Sequence, residues 1–316
     1  MKEIIYAIFL SFFLCGLCGN AEAKKKKEVK KAIKREVQTP YDKLFKGKKA
    51  FTVNGLMKMH LMAGKVYAEF PIELLNRDLA LTSSIEDISD NGEGVVGQFA
   101  GRVNQFRFTL QDSMLQARLV RRYGVKNTGM GKNADQIIER SNTPGIFQSY
   151  KILAYTPDKK AVVVDMTELF LESSRLTNPF PSYAGNSLYG FVQRIHKFQS
   201  QRSELLGICG NDNSMSVRCN LGFNVDRLVL GSFMQAKDVP VSVTVNKILM
   251  LLPEDPMRPR LADSRIGVNA IIQTELPDVC QGIKTYYITK RWRIEPVDEI
   301  RYKQGEMVDV KKPIVF

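Results

Sequence analysis

Histidine is almost missing from this chain of 316 residues: only His60 and His196 occur, far apart and in no metal-spaced pair. A protein zinc site needs three or four nitrogen, sulfur or oxygen ligands, usually with two on one short element. There is no H-E-x-x-H and, past the first twenty residues, no C-x-x-C. A catalytic zinc centre of the chain's own is therefore excluded, and so is a histidine-based triad with an evident partner. His60 alternates with Lys58 and is expected to face solvent or a neighbouring strand. His196, beside Lys197, carries no stronger signal.

Cysteine is also scarce. Of the five, Cys15 and Cys18 lie in an N-terminal leader, leaving Cys209, Cys219 and Cys280. An odd number at irregular spacing is no disulfide framework. Cys209 and Cys219 can pair across the turn "GNDNSMSVR" in an oxidising compartment, closing a loop worth ~2–3 kcal/mol. The alternative is buried free thiols. Nucleophile and phosphate motifs fail on register. "GNSLYG" misses a nucleophile elbow because Gly190 stands one place late after Gly185 and Ser187. "GEGVVG" at 92–97 fits G-x-G-x-x-G but does not join a strand to a helix, so it reads as a flexible loop. The carboxylates of "IEDISD" before it read as a solvated turn.

Long apolar runs are lacking too, with one exception at residues 4–14. A lysine before it and "AEA" at 21–23 after it describe a secretory signal peptide, residues 1–23, cleaved after Ala23. The run is too short to span a bilayer, so an integral membrane protein is not expected. The protein is placed in the periplasm, at the outer membrane or outside the cell. Residues 24–38 follow as a basic, disordered tail, with eight basic and two acidic residues in "KKKKEVKKAIKRE". Net charge is +13; the tail can meet an anionic surface, and nothing in the sequence points to nucleic acid.

What remains alternates with period two. "GLMKMHLMAGKVYAEF" predicts a hairpin turning at Ala63-Gly64-Lys65, with Val66, Ala68 and Phe70 on the buried side. "VNQFRFTLQDSMLQARLVRR" predicts a second, turning at Gln111-Asp112-Ser113. "PIELLNRD" offers one helical turn starting at Pro71. Residues 123–145 lose the alternation and read as a polar insertion with a short helix near 134–140. "IFQSYKILAY" and "AVVVDMT" form a further hairpin, followed by a short helix with Thr167 as N-cap. "SLYGFVQRIHKFQSQ" is open between helix and strand. In "VPVSVTVNKILMLL", Val239, Val241, Val243 and Val245 face one way. "GIKTYYITKRWRIEP" places Trp292 inward between Arg291 and Arg293. The fold class is α+β, mainly β, with antiparallel sandwich-like sheets and a few short helices. Three parts follow the tail: a small β module at 39–90, a second β-rich module at 91–255, and a connector at 256–316.

The connector holds the most pointed chemistry. In "LLPEDPMRPRLADSRIGV", Arg258, Arg260 and Arg265 surround Asp263, and Pro256 and Pro259 stiffen the approach. An arginine fork holds a carboxylate by two parallel hydrogen bonds. These residues with Trp292 read as an interdomain or partner clasp, with a substrate-carboxylate site as the other reading.

"LLPEDPMRPRLADSRIG" and "ITKRWRIEP" resemble the region just before the peptidase domain of large secreted zinc-dependent metallopeptidases of Gram-negative bacteria. "GLMKMHLMAGKVYAEFPIELLNRDLAL" and "AVVVDMTELF" resemble that family's first and second N-terminal modules. The resemblance implies a non-catalytic front region of a metallopeptidase, truncated or split, that scaffolds or regulates a metzincin-like peptidase domain lying outside this chain. It implies no catalytic and no metal-binding residue here, zinc only in that other domain, and a separate peptidase chain as partner. The alternative class is a stand-alone secreted module binding peptide or acidic glycan.

Overall fold

The computed structural model describes residues 38–101, 103–120, 136, 140–173, 177–180, 183–187, 190–230, 235–263, 265, 267, 269–275 and 284–312. Residues 1–37, most of 123–145 and Cys280 lie outside them, as do the expectations placed there.

Local chemistry sets the first elements. Helix α1 (Pro40–Phe45) starts on a reciprocal cap: Thr39 Oγ1 accepts from Asp42 N–H and Asp42 accepts from Thr39 N–H, each at 3.1 Å. After the short strand β1 (Phe51–Val53), strands β2 (Lys58–Met62) and β3 (Lys65–Pro71) form the expected hairpin. Its two turn residues, Ala63 and Gly64, both sit at positive φ, as a tight turn matching strand twist requires. Val66, Ala68 and Phe70 are fully buried, as their spacing predicts. The turn after Pro71 is 3-10 rather than α, with Pro71 at the cap.

Next come β4 (Asp78–Ile88) and the second hairpin, β5 (Asn104–Gln111) with β6 (Met114–Leu119), turning through Asp112 at φ 53°. Strands β7 (Gly145–Tyr155) and β8 (Ala161–Asp165) form the third. Helix α2 (Thr167–Leu171) begins one residue earlier than expected. Thr167 is its first helical residue, not its N-cap, because the hydroxyl is already engaged: it donates to Asp165 and accepts from Val66 N–H. The segment open between helix and strand is strand: β9 (Tyr183–Ser187) is followed by β10 (Gly190–Asn211), β11 (Ser214–Leu230) and β12 (Gln235–Leu251).

All twelve strands join one antiparallel sheet in the order β1-β2-β3-β8-β7-β6-β5-β4-β12-β11-β10-β9. The mainly β, antiparallel class holds, and the layers come from one sheet curled over its own core. Phe70 on β3 meets Phe108 on β5 at a ring separation of 4.8 Å, although three strands stand between them in the sheet order. The first strands also reach the far end: Leu56 N–H donates to Asn211 O at 2.7 Å. Gly55 permits this approach, since a Cβ there would lie 2.8 Å from both Asn211 O and Met215 Sδ. The largest core cluster unites Met59, Phe70, Phe106, Phe108, Met215 and Leu249. A second lies under the outer halves of the long strands, around Phe180, Phe223 and Val243. The stretches expected as separate modules, 39–90 and 91–255, contribute to the same sheet: β3 pairs with β8, and β4 sits between β5 and β12.

The chain leaves this sheet at Leu251 for a small second sheet, β13 (Ala270–Glu275) and β14 (Lys284–Thr289), and then helix α3 (Glu299–Lys303). Strand β14 ends before the tryptophan, which corrects its expected place. Trp292 is 68% exposed because it lies beyond the end of the strand at Thr289.

Candidate functional site

The arginine-rich connector is built mostly by backbone. Thr289 N–H donates to Arg260 O at 2.9 Å and Ala262 N–H donates to Tyr287 O at 2.7 Å. With the Leu261–Ile288 bridge, this lays the segment along β14 as a third, short strand. The side chains doing the holding come from the other arm. Arg291 Nη2 donates to Arg258 O at 2.7 Å, and Arg293 Nη1 donates to Asp255 O at 2.8 Å. Arg258 and Arg260 themselves are exposed. Asp263 is taken by Arg265 alone, through a two-pronged bond at 2.9 and 2.6 Å. Those bonds hold the Asp263 carboxyl below, and the Arg265 guanidinium above, their ordinary values. Of the residues expected to form a clasp, Asp263 and Arg265 meet, Arg258 and Arg260 contribute carbonyls, and Trp292 stands apart.

Past the third strand, Val297 N–H to Asp309 O and Lys311 N–H to Glu295 O, both 2.8 Å, close a loop around α3, which Asp298 caps. Among the residues from 253 to 312 whose side chains are described, none is buried. Yet this stretch presents Leu261, Ile272, Tyr287, Trp292, Ile300, Tyr302 and Met307 to solvent, the last at 98%. Where it leaves the large sheet, a groove of about 480 Å³ opens between Leu251, Pro253, the cations Arg77, Arg293, Lys311 and Lys312, and Glu295, which pairs with Arg293 and Lys311.

The imidazole rings of both histidines prove to be largely shielded from solvent, which the sequence did not reveal. His60 takes the neighbouring-strand option. Its Nε2 lies 2.9 Å from Glu69 Oε1 on β3, so Nδ1 is left to accept from Thr52 Oγ1 at 2.8 Å. Tyr41 donates to the same Glu69 oxygen at 2.6 Å, and Phe45 covers the imidazole at 4.4 Å. Burial pushes the Glu69 carboxyl up, but the bonds from His60 and Tyr41 and the Lys58 charge outweigh it, leaving a value below the ordinary one. Burial and the same carboxylate push the Tyr41 phenol far above its usual range. The network fastens α1 to β1, β2 and β3.

His196 stacks on Phe180 at 4.7 Å, its Nε2 2.7 Å from Glu93 Oε2. Glu93, nearly inaccessible, also accepts from Arg227 Nε at 2.7 Å, while the other end of Arg227 grips Asp90. Arg194 donates to Gly92 O. The "IEDISD"–"GEGVVG" region is therefore no free solvated turn: Asp90 and Glu93 pin it to β10 and β11. The partners lie more than a hundred residues away, so no local pattern announces them.

A third buried group lies inside the valine row. The inward phase of Val241, Val243 and Val245 continues to Lys247, 1% exposed, and Leu249. Lys247 Nζ donates to Glu172 O at 3.1 Å, the carbonyl that ends α2. Burial drives its amine down to about 8. Extending the two-residue period by one step was the signal that could have found it. Close by, Cys219 Sγ donates to Phe170 O at 3.3 Å, and burial pushes its thiol up to about 11. Of the two alternatives open for Cys209 and Cys219, the structure has both thiols free. Across the β10–β11 ladder Cys209 stands opposite Ser216 and Cys219 opposite Leu205; the first is exposed and the second buried, so their thiols do not face each other.

Among the described residues, no group of three or more histidine, cysteine, aspartate and glutamate side chains is placed to hold a metal ion. No helix among them is long and apolar enough to cross a membrane.

Fold and surface define an antiparallel β protein with a coreless C-terminal appendage. The chain belongs to the family of the domain of unknown function DUF5117, whose model matches residues 97–297. A second family, the domain of unknown function DUF5118, matches residues 38–88. No curated protein and no solved structure matches the chain.

Proposed function

We propose that this chain is the non-catalytic N-terminal accessory region of a secreted zinc-dependent metallopeptidase-like protein, and that it scaffolds or regulates a peptidase domain through residues 256–312. The reading rests on the family resemblance of "LLPEDPMRPRLADSRIG" and "ITKRWRIEP". The observation that carries it is the exposed apolar surface of the C-terminal appendage. A two-stranded hairpin without a core is at best marginally stable in water, and contiguous exposed apolar surface marks an interaction site. The residues displayed are those enriched at interfaces: Trp292, Tyr287, Tyr302 and Met307 among Arg258, Arg260 and Arg291. Zinc would be held by the partner domain.

The test is gel filtration of the purified chain with the metzincin-like peptidase domain encoded nearest to it. Co-elution is expected, and Trp292→Ala combined with Ile300→Ala weakens it at least ~10-fold if these are anchors. Separate elution of two folded chains sinks the reading. A second reading, a binding module for peptide or acidic glycan, draws on the cation-lined groove at Arg77, Arg293, Lys311 and Lys312. Retention on a heparin-like resin that drops in Lys311→Glu/Lys312→Glu, with no association to a peptidase domain, would favour it.

A further inference from the structure

We propose that β13 is an acceptor strand: a partner adds an extended, acidic segment antiparallel or parallel to its free edge. The inference rests on the docking reading above and specifies how docking occurs.

The register decides which groups are offered. Asn269 O accepts from Lys290 N–H at 2.9 Å, and the antiparallel ladder continues from Ala270 opposite Thr289 to Glu275 opposite Lys284. In such a ladder bonded and non-bonded pairs alternate. Ile271, Gln273 and Glu275 therefore turn their N–H and C=O toward β14, whereas Ala270, Ile272 and Thr274 turn theirs outward. The other side of β14 agrees with this phase: Thr289 and Tyr287, opposite Ala270 and Ile272, bond outward to Arg260 and Ala262. One edge of β14 is thus filled by the chain itself. Among the described residues, none pairs with the outer edge of β13.

Folded proteins ordinarily blunt such an edge with charge, proline or a covering element. Here successive residues Ile271 and Ile272, which point to opposite faces, are 49% and 66% exposed. The Ala270–Ile272 half of the strand, before Gln273, Thr274 and Glu275, is thus apolar on both faces, the pattern of a stretch covered on both. Strand addition supplies main-chain bonds for affinity and side-chain contacts for specificity. The occupant's charge follows from the flanks: Arg258, Arg260, Lys290 and Arg291 are exposed around the small sheet, while Arg293 is paired with Glu295 and Asp263 with Arg265. A partner strand carrying carboxylates between apolar residues fits this field.

The probe is a fluorescent peptide of alternating valine and glutamate, titrated by anisotropy against the full chain. Saturable binding is expected, and Ile272→Pro, which deletes one outward N–H without touching the β13–β14 ladder, weakens it about tenfold or more. Ala270→Pro, at the strand's first position, gives the same direction should Ile272→Pro misfold, and Ile272→Val keeps the affinity. Absence of binding, or binding by both proline variants as tight as by the parent, overturns strand addition. Sedimentation showing a dimer of the chain that either proline variant disperses also overturns it, since the edge then takes a second copy. Failure here with intact co-elution of a peptidase domain removes only the mode of docking; loss of co-elution removes the docking reading itself.

Discussion

Lys247 Nζ lies 3.1 Å from the Glu172 carbonyl, an amine inside the sheet holding the last turn of a helix on its surface. Thr177 Oγ1 donates to that same carbonyl at 3.2 Å. The bond satisfies one N–H of a group that burial otherwise penalises, and its titration should be visible in stability.

The folded-state value near 8 lies below the ordinary 10.5. Between those values the unfolded chain binds more protons, so stability rises with pH through that window. Lys247→Met should remove this rise and stabilise the protein at pH 7 by on the order of 1–3 kcal/mol, the recovered burial cost less the lost bond. Urea unfolding at pH 7 and pH 9.5 checks it. An unchanged difference between the two pH values in the variant would count against the buried amine.

Glu69 gives the opposite sign. Its carboxyl is held below the ordinary 4.5, so the stability it contributes is present above that value and is lost as pH falls through the depressed one. Glu69→Gln should cost ~1–3 kcal/mol at neutral pH and flatten the acid side of the stability curve. Tyr41→Phe should reproduce about a third of that loss. Thermal unfolding from pH 3 to 7 measures both, and an acid limb as steep in Glu69→Gln as in the parent refutes the assignment.

Arg227 bridges Asp90 and Glu93, so its removal frees the whole 88–97 segment from β11. Arg227→Ala should lower stability by ~1–3 kcal/mol, since Glu93 loses a charged partner while still buried. It should also speed glutamyl-endopeptidase cleavage at Glu93. Arg227→Lys, a single point charge, cannot span both carboxylates and should restore only part of the protection. Equal cleavage rates in all three proteins would show that the segment is held by something else.

Alkylation distinguishes the two thiols. Cys209 should react with iodoacetamide at pH 8 within minutes, whereas Cys219, buried and with its thiol pushed up to about 11, should react only in urea. A peptide in which the two are cross-linked would contradict the ladder register.

Much of the sheet could be read locally. The hairpin at Ala63-Gly64 and the turn at Asp112 are written in adjacent residues, and alternation placed Val66, Ala68 and Phe70 inside correctly. The errors have a common source. Trp292 continues the alternation of β14, but the ladder stops at Thr289, and periodicity cannot say where pairing partners run out. Lys247 obeys the period and violates the chemistry usually assigned to lysine. Glu93 finds His196 and Arg227 only through sheet order, which depends on strands separated by over a hundred residues. The expectation most visible in sequence, the arginine cluster, survives as Asp263 with Arg265, while its remaining arginines act through carbonyls.

Strand β4 lies between the nearby β5 and the distant β12, so its second edge stays open until Ile88 meets Val243 and Leu79 meets Leu251. Pairings this distant make for slow folding, because loop closure precedes any reward from contact. As the chain is made from its N-terminus, that flank of β4 must persist open until the residues up to Leu251 have followed. Only then can Leu56 meet Asn211 in the finished sheet. Everything beyond Pro253 is an addition to a sheet already complete, free to be shaped by whatever it meets.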